Sequence, residues 1–112
     1  MNYLEHNALM VCENQDLSID KPKRIRIDFI IKNLEKSIGL IIKDWQRAVG
    51  VDVVIRAERV LDYYRSLGNI MILTNNYSDP AKMMADRIGV GLVTKEELKE
   101  YIRNYFNGKQ VV

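Results

Sequence analysis

The chain has 112 residues, the size of one ordinary domain, so one hydrophobic core is expected over residues 1–112. Hydrophobic residues make up 47% of the chain and charged residues 29%, which excludes a disordered or fibrous protein. No apolar run approaches the ~20 residues of a membrane span, and residues 1–10 do not resemble a signal peptide, so the cytoplasm is the expected location. The single cysteine, Cys12, excludes an internal disulfide and a cysteine-rich zinc site.

Positive charge is concentrated in one part of the chain, although the formal net charge is only +2. Residues 21–50 hold eight basic and three acidic residues, whereas residues 1–20 hold four acidic residues and no Lys or Arg. A basic block of this kind indicates a polyanion-binding surface, because neutralising phosphates is the sequence-independent part of nucleic-acid affinity. The alternative is a solvated surface with local ion pairs.

The N-terminal half predicts one helix and two antiparallel strands. Apolar residues recur at helical spacing in the first segment, and apolar and polar residues then alternate with the period of two that is typical of strands. On this alternation Ile27 and Phe29 share one strand face and Asp28 lies on the other. The elements predicted here are a helix over 2–14, a loop over 16–23, a strand over 24–32, a turn at 33–37 and a strand over 38–45.

After Gly50 the apolar period becomes helical and predicts a helix ending near Gly68. Ser78 before Pro80 is a typical helix start, and residues 94–97 (TKEE) form a capping box. The elements predicted after this first helix are a buried strand over 69–74, a helix between Ser78 and Gly89, a strand over 90–93 and a helix over 94–105.

The predicted order is therefore α-β-β-α-β-α-β-α. Each helix has one apolar stripe to bury, so this order favours an α/β fold in which helices cover both faces of a mixed sheet. An N-terminal helix and loop over 1–22 would precede a core over 24–106.

Asp28 and Lys43 are the candidate chemical groups. If the two strands pair as a hairpin, a carboxylate and an ammonium could converge where the sheet opens. A carboxylate there could bind a hard divalent cation, and a lysine could orient water or offset charge on a scissile phosphate. The alternative is an ordinary cross-strand ion pair.

The residues resemble a known family. Residues 26–30 (RIDFI), 40–45 (LIIKDW) and, beyond a helix, 69–76 (NIMILTNN) resemble the restriction-endonuclease-like fold of the PD-(D/E)xK superfamily, and Mrr-type restriction endonuclease domains in particular. The helix start at 79–81, the segment 85–90 and the capped helix at 94–98 fit the same likeness. The resemblance implies a three-layer α/β/α domain that binds DNA.

The resemblance also implies roles for single residues. Asp28 matches the aspartate that binds magnesium, and Lys43 matches the lysine that assists the attacking water. The second metal ligand would stand two residues before the lysine, where this chain has Ile41, which cannot coordinate a metal. Glu58 on the following helix is the best relocated acid, so Asp28 and Glu58 are the candidate metal ligands, with Glu5 and then Asp44 as weaker substitutes.

The candidate DNA-binding residues lie on the basic hairpin: Lys23, Arg24, Arg26, Lys43 and Arg47. Arg56 and Arg59 could also touch a DNA backbone, but nearby acids on the same helix cancel them numerically, which favours a solvated helix face. Trp45 could stack on a base, although an aromatic beside an apolar stripe is more often part of a core or an interface.

Two hypotheses follow from the sequence. The first is a DNA-binding, magnesium-dependent endonuclease with a degenerate site that uses Asp28, Glu58 and Lys43. The alternative is an inactive nuclease-fold module for nucleic-acid binding or protein assembly, because fold alone does not confer activity. No GxxxxGK[ST] or GxGxxG string is present, so no nucleotide cofactor is expected. A domain of this kind could form a homodimer that places two sites on a duplex, which light scattering tests.

Overall fold

The computed structural model describes residues 2–23 and 26–108. In these ranges a sheet lies between two layers of helices, as predicted: α1 and α4 pack on one face, and α2 and α3 on the other. None of the helices in the described part of the chain has the length and apolar composition to cross a membrane. The elements are α1 (Tyr3–Asn14), β1 (Ser18–Asp20), β2 (Phe29–Lys32), β3 (Ser37–Lys43), α2 (Val51–Val60), β4 (Asn69–Thr74), α3 (Asp79–Ile88), β5 (Gly91–Val93) and α4 (Lys95–Asn107).

The sheet has the strand order β1-β2-β3-β4-β5 and is mixed, as predicted. The first three strands pair antiparallel, and β3, β4 and β5 pair parallel. β4 spans the predicted residues 69–74 and lies between two neighbours, which is why the run is apolar on both faces. The parallel strands place their C-terminal ends at one edge of the sheet, next to the start of α2.

Consecutive residues of β3 pack on opposite faces of the sheet. Leu40 belongs to the cluster under α1 and α4, which also contains Met71 and Leu98. Ile41 belongs to the cluster under α2 and α3, which also contains Ile72. The predicted alternation of β3 is therefore correct, and it directs Ile41 toward the helix that follows.

The short strand β1 is one element that the predicted order lacks. Ser18–Asp20 lies in the segment interpreted as a loop, but it pairs with β2 in the register Ser18↔Lys32 and Asp20↔Ile30. Lys32 Nζ lies 3.1 Å from Asp20 Oδ2 across this ladder. The strand has one half-buried apolar residue and no sequence period of its own, so its pairing partner determines its structure.

Helix α2 also differs from its predicted extent, because it ends at Val60 and not near Gly68. The next backbone amides donate hydrogen bonds to carbonyls three residues earlier: Leu61 N–H to the Glu58 carbonyl and Tyr63 N–H to the Val60 carbonyl. This tighter spacing is typical of a helix end. The remaining residues form turns that return the chain to β4.

The predicted helix caps are confirmed at α3 and α4. The Ser78 hydroxyl accepts from Ala81 N–H, and Gly89 ends α3 in the left-handed region at φ 81°. Thr94 and Glu97 form the capping box of α4. Burial alone would raise the pKa of Glu97, but hydrogen bonds from Thr94 N–H and the Tyr77 hydroxyl outweigh it and hold the pKa below its ordinary value. Glu97 thus stays charged, which favours its place at a helix N-terminus.

Candidate nucleic-acid interface

Asp28 lies at an irregularity in the hairpin. Phe29 is paired with Leu40 in the β2–β3 register, yet Asp28 N–H also donates to the Leu40 carbonyl at 2.9 Å. Two residues of one strand thus oppose one residue of the other, which is the pattern of a β-bulge. The prediction that Ile27 and Phe29 share a face is wrong for this reason: Ile27 packs under α2 and Phe29 under α1.

The Asp28 carboxylate has a local partner. Its Oδ2 accepts a hydrogen bond from the backbone N–H of Ile42 at 2.7 Å. The side chain of Asp28 therefore lies beside the backbone that leads into Lys43. Within the described residues, however, no ion pair joins Asp28 to Lys43, so the alternative of a simple cross-strand ion pair is not what the structure contains.

Lys43 is the last residue of β3, and Trp45 and Arg47 follow it in the loop that leads to α2. Lys43 Nζ lies 5.1 Å from the centroid of the Trp45 ring, and the Arg47 guanidinium carbon lies 4.3 Å from it. Asn75, after β4, donates to the Trp45 carbonyl at 3.1 Å and to Asp44 Oδ1 at 2.7 Å. These bonds fix the Trp45 backbone, and cation–π attraction holds both cations near the ring.

These residues open onto a cleft of about 580 Å³ between the end of β3 and α2. The cleft has an apolar floor and a cationic rim. The floor is formed by Ile41, Trp45, Val53, Ala57 and Val60. The rim is formed by Arg26, Lys43, Arg47, Arg56 and Arg59. We call this feature the cationic cleft.

The charge of the cationic cleft is largely uncompensated. None of the residues that line it is acidic. Arg56 is paired with Asp52 at 2.6 Å, and this guanidinium lowers the pKa of Asp52. Across residues 2–23 and 26–108, the other four rim cations have no carboxylate within 4.0 Å. A concentration of cations of this kind attracts polyanions.

The structure brings together only some of the residues predicted for the site. Arg26, Lys43 and Arg47 line the cationic cleft, whereas Lys23 is exposed outside it and Arg24 falls outside the described residues. Glu58 is exposed on α2 and does not line the cleft. Glu5, the next candidate for a relocated metal ligand, lies on α1 in the opposite helical layer. Asp44, the third candidate, accepts a hydrogen bond from the Asn75 side chain.

Arg56 and Arg59 are the rim residues that charge counting set aside. The acids of α2 cancel both in number, but in the described residues only Arg56 has an acidic partner, Asp52, and Arg59 faces the cleft without one. Arg56 lies three residues after Val53 and four before Val60, so helical spacing puts it beside the buried stripe. From the sequence, this spacing could have predicted that Arg56 lies at the border of the buried face of α2.

The comparisons with known proteins agree with this fold. A model of the Mrr-type restriction endonuclease domain, Mrr_cat, matches residues 5–102. The chain belongs to this family. No match was found among proteins of curated function.

Two solved structures resemble this Mrr-type domain in fold. The first, a protein of unknown function called AF1548, has a TM-score of 0.66 and 15% identity over 83% of this chain. The second, a repair endonuclease from Pyrococcus abyssi, has a TM-score of 0.60 and 13% identity over 84% of this chain. The Mrr-type domain spans 58% and 47% of the lengths of these two chains.

Domains of the restriction-endonuclease type generally use divalent metals, but the residues of this Mrr-type domain do not fit one. Magnesium is held in proteins by one or two carboxylates together with waters and substrate phosphates, so its site needs at least one acid that faces the cleft. Among the described residues, no three His, Cys, Asp or Glu side chains come together. Ile41, at the position where the resemblance predicts the second ligand, is 7% exposed in the floor, and the residues that line the cleft include no acid.

Asp28 instead has a backbone role that a substitution pair can test. We expect Asp28→Ala to lower the free energy of unfolding by about 1–2 kcal/mol, because Ile42 N–H loses its acceptor. Asp28→Asn keeps a carbonyl oxygen at that position and should recover most of the loss. Urea denaturation measures both values.

Magnesium added to the same denaturation series is the control. We expect it to shift none of the three midpoints, because no acidic side chain lines the cleft and an ion that does not bind the folded state cannot stabilise it. Equal losses for Asn and Ala, or a magnesium-dependent midpoint that is lost in both variants, would contradict the backbone role.

Proposed function

We propose that this chain is a nuclease-fold module that binds DNA through the cationic cleft and does not hydrolyse it with magnesium. The observation that carries the proposal is the rim: Arg26, Lys43, Arg47 and Arg59 face one cleft with no carboxylate partner in the described residues. Family membership supports DNA as the polyanion.

Unpaired rim cations are suited to phosphate for two reasons. They can contact phosphates without first breaking an ion pair, so the attraction to phosphate is not offset by the loss of a carboxylate contact. Trp45 also restrains Lys43 and Arg47 near one position, which reduces the side-chain entropy that binding would cost. Arg56 differs, because Asp52 already holds it.

The chemistry of the cleft opposes metal-dependent hydrolysis. Two-metal and one-metal nucleases hold their ions with carboxylates, and a cation-lined cleft repels a free divalent ion. The competing proposal is an active site that uses Asp28, Glu58 and Lys43. Its support is the position of Asp28, whose carboxylate bonds to the amide next to Lys43.

The deciding experiment measures binding and cutting in the same preparation. Fluorescence anisotropy with labelled DNA should show binding that weakens steeply as salt rises. Plasmid and branched DNA incubated with magnesium or manganese should remain uncut. Cutting that disappears in both Asp28→Asn and Lys43→Ala would overturn the proposal in favour of the enzyme, and no binding to any DNA at low salt would remove the DNA module. The expected homodimer remains a prediction.

A further inference from the structure

The apolar floor of the cationic cleft has no use in binding a phosphate backbone. A surface that only follows the backbone of a duplex needs cations and hydrogen-bond donors. Here the rim cations surround five apolar residues, of which Trp45 is half-buried and the other four are buried, so the accessible apolar surface is chiefly the Trp45 ring. A duplex backbone laid over this cleft would give the accessible part of the Trp45 ring no apolar partner.

An unpaired nucleotide matches both parts of the cleft. Its base is flat and apolar on its faces, and its phosphates are anionic. In a duplex those base faces are already stacked on their neighbours, whereas in a single strand they are free to stack on aromatic side chains or on arginine guanidinium planes. The Arg47 guanidinium carbon lies 4.3 Å from the centroid of the Trp45 ring, so the two groups are already in contact and a base would stack on the outer surface of this pair and not between them.

The size of the cleft agrees with such an occupant. Its volume of about 580 Å³ lies in the range of sites that enclose small organic ligands. Ile41 contributes to this volume as part of the floor, at the position where the family pattern places a metal ligand. Replacing an acid with isoleucine removes a charge that would repel phosphate and adds apolar area.

We infer that the cationic cleft binds an unpaired nucleotide of single-stranded DNA, with the base on Trp45 and the phosphates on Lys43 and Arg47. The inference rests on the proposed DNA-binding function and names its substrate class. It requires that single strands bind more tightly than duplexes, and that Trp45 itself contacts the base.

Trp45 is the sole tryptophan of the chain, so its fluorescence reports on this cleft alone. The emission is excited at the red edge of the absorption, where the tyrosines do not absorb. Titration with an oligothymidylate of about 16 nucleotides, a typical single-strand site size, should quench it. A duplex of the same length should bind about 10-fold more weakly at the same salt and leave the emission nearly unchanged.

A variant pair separates stacking from charge. Trp45→Leu keeps the floor apolar but removes the ring, so the preference for the single strand should fall about 10-fold while duplex affinity changes less than about twofold. Tyr3→Leu is the matched control, because Tyr3 is an aromatic with 60% exposure on α1, in the other helical layer. That variant should keep the full preference.

The outcomes are distinct. Equal affinity for single strand and duplex, or anisotropy that rises without a change in Trp45 emission, overturns the inference and leaves the DNA module intact. Thymidine monophosphate that competes as well as the oligonucleotide also overturns it, since the cleft would then be a mononucleotide pocket. No binding to any DNA overturns both proposals. The wild-type quenching decides the matter even where Trp45→Leu folds poorly.

Discussion

Replacing Lys43 and Arg47 together with alanine is expected to weaken DNA binding on the order of 30-fold near 0.1 M salt. Each cation that neutralises a phosphate releases about 0.7 of a counterion from a single strand and about 0.9 from a duplex. The plot of log affinity against log salt has a negative slope. Losing two such contacts should therefore make that slope shallower by about 1.4 to 1.8. Anisotropy titrations at four or more salt concentrations measure both quantities.

The size of this effect follows from the position of the two side chains. Both lie near the Trp45 ring in a cleft that no acid lines, so neither has to leave a carboxylate in order to contact a phosphate. The loss should be similar for every DNA sequence, because a phosphate contact carries no base information. A loss confined to one sequence would contradict this role.

Lys99→Ala is the matched control. Lys99 is an exposed lysine on α4, which packs on the sheet face opposite the cleft. Its removal lowers the net charge by one but should leave the salt slope unchanged. The free energy of unfolding should move by less than about 0.5 kcal/mol in all variants, since none removes a buried contact. Weaker DNA binding with an unchanged slope would mean that Lys43 and Arg47 do not contact phosphates.

The sequence predicted the parts of the fold that local rules determine. Helix α3 follows from the Ser78 cap and the Gly89 terminus, and β4 follows from a run that is apolar on both faces. Strand β1 could not be predicted in this way, because three residues hold no recognisable period. Its strand geometry comes from hydrogen bonds to β2, which is distant in sequence.

The site was less predictable than the fold, for two physical reasons. A bulge at Asp28 shifts the alternation by one residue, so a period of two projects Ile27 onto the wrong face. A count of charges on α2 also hides their direction, since Arg56 and Arg59 reach the cleft while Glu58 does not. Strand-pairing geometry cannot be read from residue spacing. The side of a helix on which a residue lies can be read from that spacing.

Ile41→Glu is expected to weaken DNA binding about 30-fold and to lower the free energy of unfolding by about 2–4 kcal/mol. Ile41 is 7% exposed and packs under α2, so the variant loses buried apolar area and must place a carboxylate in the floor. For an assumed separation on the order of 8 Å, a carboxylate repels a phosphate by roughly 2 kcal/mol at an effective dielectric constant of about 20. That repulsion accounts for the expected loss of affinity.

Ile41→Gln separates the charge from the packing. Glutamine has nearly the same shape as glutamate but no charge, so its loss of stability should be similar while DNA affinity falls only about threefold, the share that apolar contact contributes. Urea denaturation and anisotropy at equal salt give the two quantities for each variant. If glutamate and glutamine weaken binding equally, the floor does not face the phosphates. If neither weakens it, DNA does not enter the cleft, because Ile41 is part of the floor on which an occupant would rest.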